Sequence, residues 1–284
     1  MNCLRSGSSK VLGALCLIFI VSLSLPVPAA QAVEEGQAVT SILSKWGDAV
    51  VEVKAVIKLR VVVGGNEQAK EENENVSLAT VIDPSGIAVL SFSSIDPTKV
   101  FGEIVKKQNG KDGPKMDMDS EITSLTMIMA DGREIPAKVI LRDADLDMAF
   151  IMPTEKPAKP MTAVDISGDG KAGVPDTVVI LNRLDKNAGR AISVSLKRIE
   201  AVISNPRRSY VADSETLMNR LGAPVFSLDG KVVGFSLLRM TKSGDKSSRG
   251  GFLSSGISSL GIMPVILPVG EVSAAAKQAV AIKQ

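Results

Sequence analysis

The side chains that could carry out chemistry in this chain are few. None of its 284 residues is histidine, and its two cysteines, Cys3 and Cys16, both lie close to the N-terminus. A thiol nucleophile, a thiolate metal site and an imidazole base are therefore excluded from the rest of the chain. Nucleophilic or acid–base chemistry would depend on serine, lysine and carboxylate side chains.

The carboxylates do not form a recognisable metal site. Asp117 and Asp119 alternate with methionine in the string MDMD, but the glycine turn and distal glutamate of a calcium loop are missing. The string DISGDGK at residues 165–171 fails the same test. We expect no metal and no other cofactor.

One turn combines residues that rarely occur together. The string LMNRLGAPVFSLDGKVVGF at residues 217–235 predicts a strand, a sharp turn and a second strand. Leu221 stands between Arg220 and the Gly222-Ala223-Pro224 turn, where a small polar residue would fit more easily.

The N-terminal segment has the pattern of a secretory signal. Arg5 and Lys10 precede an apolar run over 11–25, followed by Pro26 and small residues around Ala32. We expect residues 1–32 to be a signal peptide cleaved before Val33, and the protein to be exported, periplasmic or extracellular. The alternative is an uncleaved N-terminal anchor.

Charge gives no indication of a nucleic-acid partner. The 33 basic residues fall to 31 once Arg5 and Lys10 leave with the signal, which equals the 31 acidic residues. A net charge near zero provides no electrostatic footprint for nucleic acid or for an anionic membrane. We expect neither partner, and no membrane span after signal cleavage.

The elements that must position these residues are mainly strands. Apolar and polar residues alternate along 51–63, which predicts a long half-buried strand. Ten further strands are predicted at 77–83, 86–92, 125–130, 135–142, 148–153, 177–182, 192–203, 223–228, 231–240 and 261–267. Only the short segment 39–46 has helical spacing. Many short strands between turns predict an all-β fold of barrels or sandwiches.

Two polar stretches are predicted to lack regular structure. Residues 64–75, GGNEQAKEENEN, are expected to form a solvated loop, and residues 96–121 a surface insertion.

Four strings, in order, resemble the HtrA-type group of trypsin-like serine proteases. DPSGIAVLSFSSID resembles the family's D-P-x-G-x-I-L-T-N-x-H-V, and ADGREIPAKVILRDADLDMAFIMP resembles D-G-R-x-x-x-A-x-V-x-x-R-D-x-x-x-D-L-A-V-L. NRLGAPVFSLDGKVVGF resembles G-N-S-G-G-P-L-x-N-x-x-G-x-V-I-G, and GIMPVILPVGEV resembles the closing G-F-A-I-P-x-x-x-V. The resemblance spans residues 47–273.

The resemblance implies a fold and a division of the chain. It implies two six-stranded antiparallel β-barrels at about 48–153 and 164–273, joined at the Pro-rich stretch 153–164. A helical segment at 33–47 would precede this double-barrel domain of residues 48–273, and a tail at 274–284 would follow it.

The resemblance also locates a degenerate catalytic triad. Ser93 takes the place of the histidine base and Leu221 the place of the nucleophilic serine, while Asp147 matches the aspartate that orients the base. A leucine side chain cannot attack a carbonyl, and a serine cannot act as a general base near neutral pH. No residue is therefore expected to be catalytic, and the protein is interpreted as an inactive protease homologue, a pseudoprotease.

An active alternative stays open. A serine-type hydrolase could use a Ser–Lys dyad, with Ser91, Ser93, Ser94 and Ser227 near the matched site, provided that a lysine is desolvated enough to act as a base.

The interpretation as a pseudoprotease predicts a binding or scaffold role. Trypsin-like folds hold an extended peptide as an added strand at a barrel edge, and this pairing survives the loss of catalysis. The strands predicted at 192–203 and 231–240 would flank the cleft; the alternative is that they only close the barrel. The resemblance also implies a homo-oligomer contact through the N-terminal helix at 39–46.

Overall fold

The structure is a computed structural model, and it describes residues 27–98, 100, 102, 116–240 and 262–282. The predicted signal peptide falls almost entirely outside these residues, as do both cysteines. Among the residues described, no helix is long and apolar enough to cross a membrane.

Thirteen strands and three helices make up the described chain. The first half contains helix α1 (Val27–Trp46) and strands β1 (Val50–Val63), β2 (Asn66–Val81), β3 (Ala88–Ser91), β4 (Met116–Ile128), β5 (Glu134–Asp143) and β6 (Met148–Pro153). The second half contains β7 (Thr177–Arg183), β8 (Ile192–Arg198), β9 (Ala201–Ile203), β10 (Ser209–Val211), helix α2 (Ser214–Met218), β11 (Pro224–Ser227), β12 (Val232–Met240), β13 (Ile262–Pro268) and helix α3 (Val269–Ile282).

The first six strands form a closed antiparallel barrel in the order β1-β2-β3-β6-β5-β4. The alternation predicted along 51–63 is present, since Val51, Val53 and Ala55 are all buried. Removal of this apolar surface from water stabilises the barrel. The all-β, trypsin-like fold expected from the sequence is confirmed for this half.

Two polar stretches of the first half are strands, so both predictions of irregular structure were wrong in part. Residues 66–75 extend β2 and pair with β1, and residues 116–121 begin β4 and pair with the other edge of β1. Gly64 and Gly65, both with positive φ, form the two-residue turn of the β1–β2 hairpin. Residues 66–75 have no two-residue alternation because this three-stranded ribbon projects into solvent, where backbone pairing defines the strand. Residues 116–121 do alternate in sequence and in exposure.

The second half differs from the predicted six-stranded barrel. It is a seven-stranded sheet in the order β8-β7-β11-β12-β13-β10-β9, and it is not closed by hydrogen bonds. The predicted strand at 192–203 divides into β8 and β9 because the chain bends at Ile199 and Glu200, whose amides donate to the carbonyls of Asp176 and Val211. Strands β8 and β9 are therefore the two edges of the sheet. They follow each other in the chain but do not pair with each other.

The helices extend beyond their predicted limits. Helix α1 begins at Val27, twelve residues earlier than the apolar spacing suggested, and it spans the predicted cleavage point. The segment predicted as a tail at 274–284 lies largely within helix α3, whose residues Val272, Ala276 and Ala279 are buried. These small apolar residues at helical spacing pack on the core, a signal that the sequence analysis did not use.

A buried arginine ties the two halves together. Arg183, at the end of β7, donates from Nε to the carbonyl of Val50 at 2.5 Å and from Nη2 to that of Gly47 at 2.7 Å. Its Nη1 donates to the carbonyl of Arg190 at 2.8 Å. Three carbonyl acceptors, two of them from the other half of the molecule, therefore depend on one side chain.

We predict that Arg183→Met lowers the free energy of unfolding by about 2–4 kcal/mol, because it leaves buried carbonyls without donors. Urea denaturation measures the change. Arg198→Met, at an exposed position on the neighbouring strand, is the matched control and should change stability by less than about 0.5 kcal/mol. Equal effects of the two substitutions would contradict this assignment.

Candidate functional site

Strand pairing brings two serines beside Asp147. Ser91, the last residue of β3, pairs with Met148, the first residue of β6, so the residues that follow β3 lie against the residue that precedes β6. The amide of Phe92 donates to the carbonyl of Asp147 at 2.9 Å. Asp147 itself has a φ of 53°, a left-handed conformation that aspartate tolerates better than most residues.

Four donors surround the carboxylate of Asp147. The Ser93 hydroxyl and the Ser93 amide donate to Oδ1 at 2.6 and 2.8 Å. The Ser91 hydroxyl and the amide of Leu238 donate to Oδ2 at 2.6 and 2.8 Å. Ser93 and Asp147 are thus in direct contact, as the resemblance led us to expect. Their assignment as remnants of a triad stays a prediction.

Burial is the largest influence on the pKa of Asp147. The residue is only 2% exposed, and this burial raises the pKa of its carboxyl above the usual value of 3.8. Hydrogen bonds from Ser91, Ser93 and the Leu238 amide oppose the shift. Desolvation is the larger effect, because the charged form is the one that loses hydration.

Leu221 lies in a turn whose neighbouring amides are engaged. Asn219 caps helix α2, and its amide donates to the carbonyl of Glu215 at 3.1 Å, while the amide of Arg220 donates to that of Leu217 at 3.1 Å. The amide of Gly222 donates to the carbonyl of Ser236 at 2.7 Å. Of the four residues 219–222, only Leu221 has an amide with no partner among the residues described.

Helix α2, which the sequence analysis missed, is fixed at its N-terminus by Asp213. The carboxylate of Asp213 accepts from the amide of Thr216 at 2.7 Å and from Lys197 Nζ at 3.2 Å. Hydrogen bonds from Thr216 and then from Lys197 lower the pKa of Asp213 to about 2. Aspartate at the N-cap followed by a short helix is a signal that the sequence contained.

At Gly222 the turn packs closely against strand β2 of the first barrel. It has a φ of 89°, and a Cβ at this position would lie 2.2 Å from the carbonyl oxygen of Leu78. Thr80, on β2, donates from its hydroxyl to the carbonyl of Gly222 at 2.8 Å. This position therefore requires glycine, which holds Leu221 at the boundary between the two halves.

A cleft of about 570 Å³ lies at this boundary. Both halves line it: Glu52, Asn75, Val76, Ser77, Leu78 and Ser94 from the first, and Asn182, Arg183, Leu184, Asp185, Met218, Asn219 and Leu221 from the second. Val76 and Leu184 are 49% and 39% exposed, so the cleft presents apolar surface to solvent. Leu221 and Ser94, the residue after Ser93, both line this cleft.

Three of the four serines considered for a Ser–Lys dyad have other partners. Ser91 and Ser93 donate to Asp147, and Ser227 donates to Asp229. Lys231, the lysine near Ser227, pairs with Asp229 at 3.1 Å and its side chain is 64% exposed. No lysine is among the described residues that line the cleft.

Among the residues described, no strand pairs with the edge of β12 near Asp147, and this edge is called the open edge of β12. The Leu238 amide donates to Asp147 and so points away from the neighbouring strand β13. In an antiparallel ladder both polar groups of a residue point the same way, and residues two apart repeat the direction. The carbonyl of Leu238 and both polar groups of Met240 therefore point to the open edge, and none of them is hydrogen-bonded to another described residue.

Chemically, the site provides acceptors and donors for a backbone, together with two serine hydroxyls that donate to a buried carboxylate. No group of three or more metal-ligating side chains occurs among the residues described. Ser93, Asp147 and Leu221 are expected at this site from the sequence, which also places Ser91 there as a dyad candidate. The role of Ser91 as a donor to Asp147 follows from the buried strand that leads to Ser93. The Leu238 donor is not apparent from the sequence, because it depends on tertiary contact.

Comparison with known proteins places this geometry in a family. The family model of the trypsin-like peptidase domain matches residues 61–235, so the chain belongs to that family. It is also 29% identical over 127 residues to a probable periplasmic serine endoprotease, DegP-like, from Rhizobium meliloti (strain 1021). That match covers 44% of this chain and 25% of the relative, so the chain spans about a quarter of the relative's length. The two matches together confirm the HtrA-type, trypsin-like resemblance.

We predict that Asp147 makes stability depend on pH in the direction opposite to most carboxylates. Because its folded pKa is raised above 3.8, the folded protein binds this proton more tightly than the unfolded chain. Its contribution to stability therefore grows as pH falls through the folded pKa, and levels off below 3.8. The free energy of unfolding of the wild type minus that of Asp147→Asn should increase from pH 7 to pH 4.

Asp165→Asn is the control for that experiment. Hydrogen bonds from Ser167 lower the pKa of the exposed Asp165, so its contribution is complete above 3.8 and is lost only as pH falls below that value. Urea denaturation at a series of pH values gives both differences. A flat or decreasing difference for Asp147→Asn between pH 7 and pH 4 would refute the prediction.

Proposed function

We propose that this protein is a catalytically inactive, trypsin-like domain of the HtrA type that binds extended polypeptide segments of protein partners. The observation that carries the proposal is the hydrogen bonding of Asp147. Two serine hydroxyls and two backbone amides donate to the carboxylate that would otherwise orient an imidazole.

Lack of turnover is supported by three separate features. Ser93 has no titratable group suited to a base at neutral pH, and Leu221 has no nucleophilic atom. The amides of Asn219 and Arg220 donate to helix carbonyls, so they are not free to stabilise an oxyanion. In a protease where it was measured, loss of the nucleophile or the base alone lowered turnover by about a millionfold.

Peptide binding is supported by the open edge of β12. The Leu238 carbonyl and the polar groups of Met240 can form a short antiparallel ladder with an added strand. Such a strand would continue past Leu221 into the 570 Å³ cleft, where Val76 and Leu184 offer apolar contacts. None of these groups takes part in the hydrogen bonding of Asp147, so binding does not require a catalytic centre.

We also propose that the protein is exported, and two observations support this. Residues 1–32 have the charge and apolar pattern of a secretory signal. The similar protein from Rhizobium meliloti is described as periplasmic. We therefore propose that this protein acts outside the cytoplasm.

We predict that residues 33–284 do not react with a fluorophosphonate probe and do not hydrolyse casein. Leu221→Ser should remain unlabelled, because the new hydroxyl has no base. The double variant with Ser93→His and Leu221→Ser should also stay far below an active trypsin assayed in parallel, because the Asn219 amide is engaged in the helix. Labelling of the unmodified protein at a serine would refute inactivity.

Binding is tested with Met240→Pro, which removes an amide that points away from β13. The variant should lose affinity for unfolded casein, measured by fluorescence anisotropy, and Met240→Ala is the matched control. Amide hydrogen exchange should show protection at Met240 when casein is bound. Equal affinities of the two variants would refute binding at this edge.

A further inference from the structure

A buried ion pair lies at the cleft between the two halves. Glu52, on β1, lines the cleft and is only 5% exposed. Its Oε2 lies 2.7 Å from Nε of Arg190, a residue of the β7–β8 loop in the second half. Neither atom has a hydrogen-bond partner among the residues described, so the contact is an ion pair between two dehydrated groups and not an aligned hydrogen bond.

The β7–β8 loop holds Arg190 in position for this contact. The amide of Arg190 donates to the carbonyl of Asp185 at 3.0 Å, and its carbonyl accepts from Nη1 of Arg183 at 2.8 Å. Arg190 has a φ of 52°, a left-handed conformation that is uncommon outside glycine. Such a conformation persists where the surrounding structure enforces it. The loop therefore presents the guanidinium to Glu52 in a fixed position.

The charged groups at the cleft balance one another. The carboxylates of Glu52 and Asp185 and the guanidinium of Arg183 line it, and Arg190 supplies a second cation next to Glu52. The guanidinium of Arg183 donates to three carbonyls, and Asp185 accepts from amides of its own loop. Without Arg190, the carboxylates at the cleft would outnumber the cations.

Two exposed apolar side chains, one from each half, line the same cleft. Val76, on β2, is 49% exposed, and Leu184, in the β7–β8 loop, is 39% exposed. A large aliphatic side chain that enters the cleft would bury apolar surface of its own and of these residues. A charged side chain would lose hydration there, because the buried charge of Glu52 already has a partner.

We infer that the cleft selects extended segments with a large aliphatic side chain, and that the Glu52–Arg190 pair determines this choice by neutralising the cleft. The inference rests on the proposed function, because a strand added to β12 is what brings a segment past Leu221 into the cleft. Arg190 acts through Glu52 and is a specificity-determining residue.

The test uses fluorescein-labelled ten-residue peptides of serine and alanine in which one central residue is varied as Leu, Gln, Lys or Glu. The varied side chain is then the only large one. Anisotropy with residues 33–284 should give the Leu peptide about a tenfold higher affinity than the Gln peptide, and the Lys and Glu peptides the lowest affinities. Salt should not weaken the Leu preference, because it does not depend on charge.

Substitutions of the pair should change the preference in opposite directions. Glu52→Gln leaves Arg190 without a carboxylate and should raise the affinity of the Glu peptide about fivefold, whereas Arg190→Met should raise that of the Lys peptide by a similar factor. Salt should reduce both gains. The double variant should return to the wild-type order, because it removes both charges.

Two controls accompany these variants. Arg198→Met, at an exposed position on β8, is matched to Arg190→Met and should keep the wild-type order of affinities. Loss of one partner of a buried pair destabilises a fold, so circular dichroism is recorded for every variant. Glu52→Gln and the double variant carry the test if Arg190→Met does not fold.

The outcomes separate this inference from the proposed function. Suppose that casein binds and that Met240→Pro abolishes its binding. Equal affinities of the Leu and Gln peptides, or no peptide binding, would then overturn the inference and leave the proposed function intact. A Leu preference with no gain for the Glu peptide in Glu52→Gln would also overturn it, because the ion pair would not determine the choice. Failure of casein and of all peptides to bind would overturn both.

Discussion

The carboxylate of Asp147 is the interaction on which the site depends. Its donors come from both halves of the molecule: Ser91 and Ser93 follow β3 in the barrel, and the Leu238 amide belongs to β12 in the second sheet. A buried carboxylate without donors would be costly, and donors left without the carboxylate would be costly as well. Retention of Asp147 is therefore explained by structure, and does not by itself indicate catalysis.

The turn that contains Leu221 forms a second set of contacts between the barrel and the second sheet. Gly222 lies against the carbonyl of Leu78, and Thr80 donates to Gly222, so the turn cannot move without disturbing β2. The amides of Asn219 and Arg220 donate to carbonyls of helix α2 and so form its C-terminal end. Two amides beside Leu221 are thus used within the fold, whereas an acyl-transfer site needs free amides for the substrate oxygen.

The sequence predicted the fold where one face of a strand is buried, and failed where neither face is. Alternation identified β1 and most strands of both halves, because buried and exposed positions differ in residue type. It missed residues 66–75 of β2, which are polar on both faces, and the bend at Ile199 and Glu200 that leaves the second sheet open. At the site, spacing within motifs led to Ser93, Asp147 and Leu221, whereas the Leu238 donor depends on a contact 91 residues distant in sequence.

Catalysis and peptide binding have different physical requirements in this fold, and so they can be lost separately. Acyl transfer needs a nucleophile, a base and an oxyanion site from three separate elements to be aligned within fractions of an ångström. An added strand needs only backbone groups on one edge, which β12 presents whatever its side chains are. Under the proposed function no chemical step constrains the side chains on that edge, so they are free to determine which segment binds.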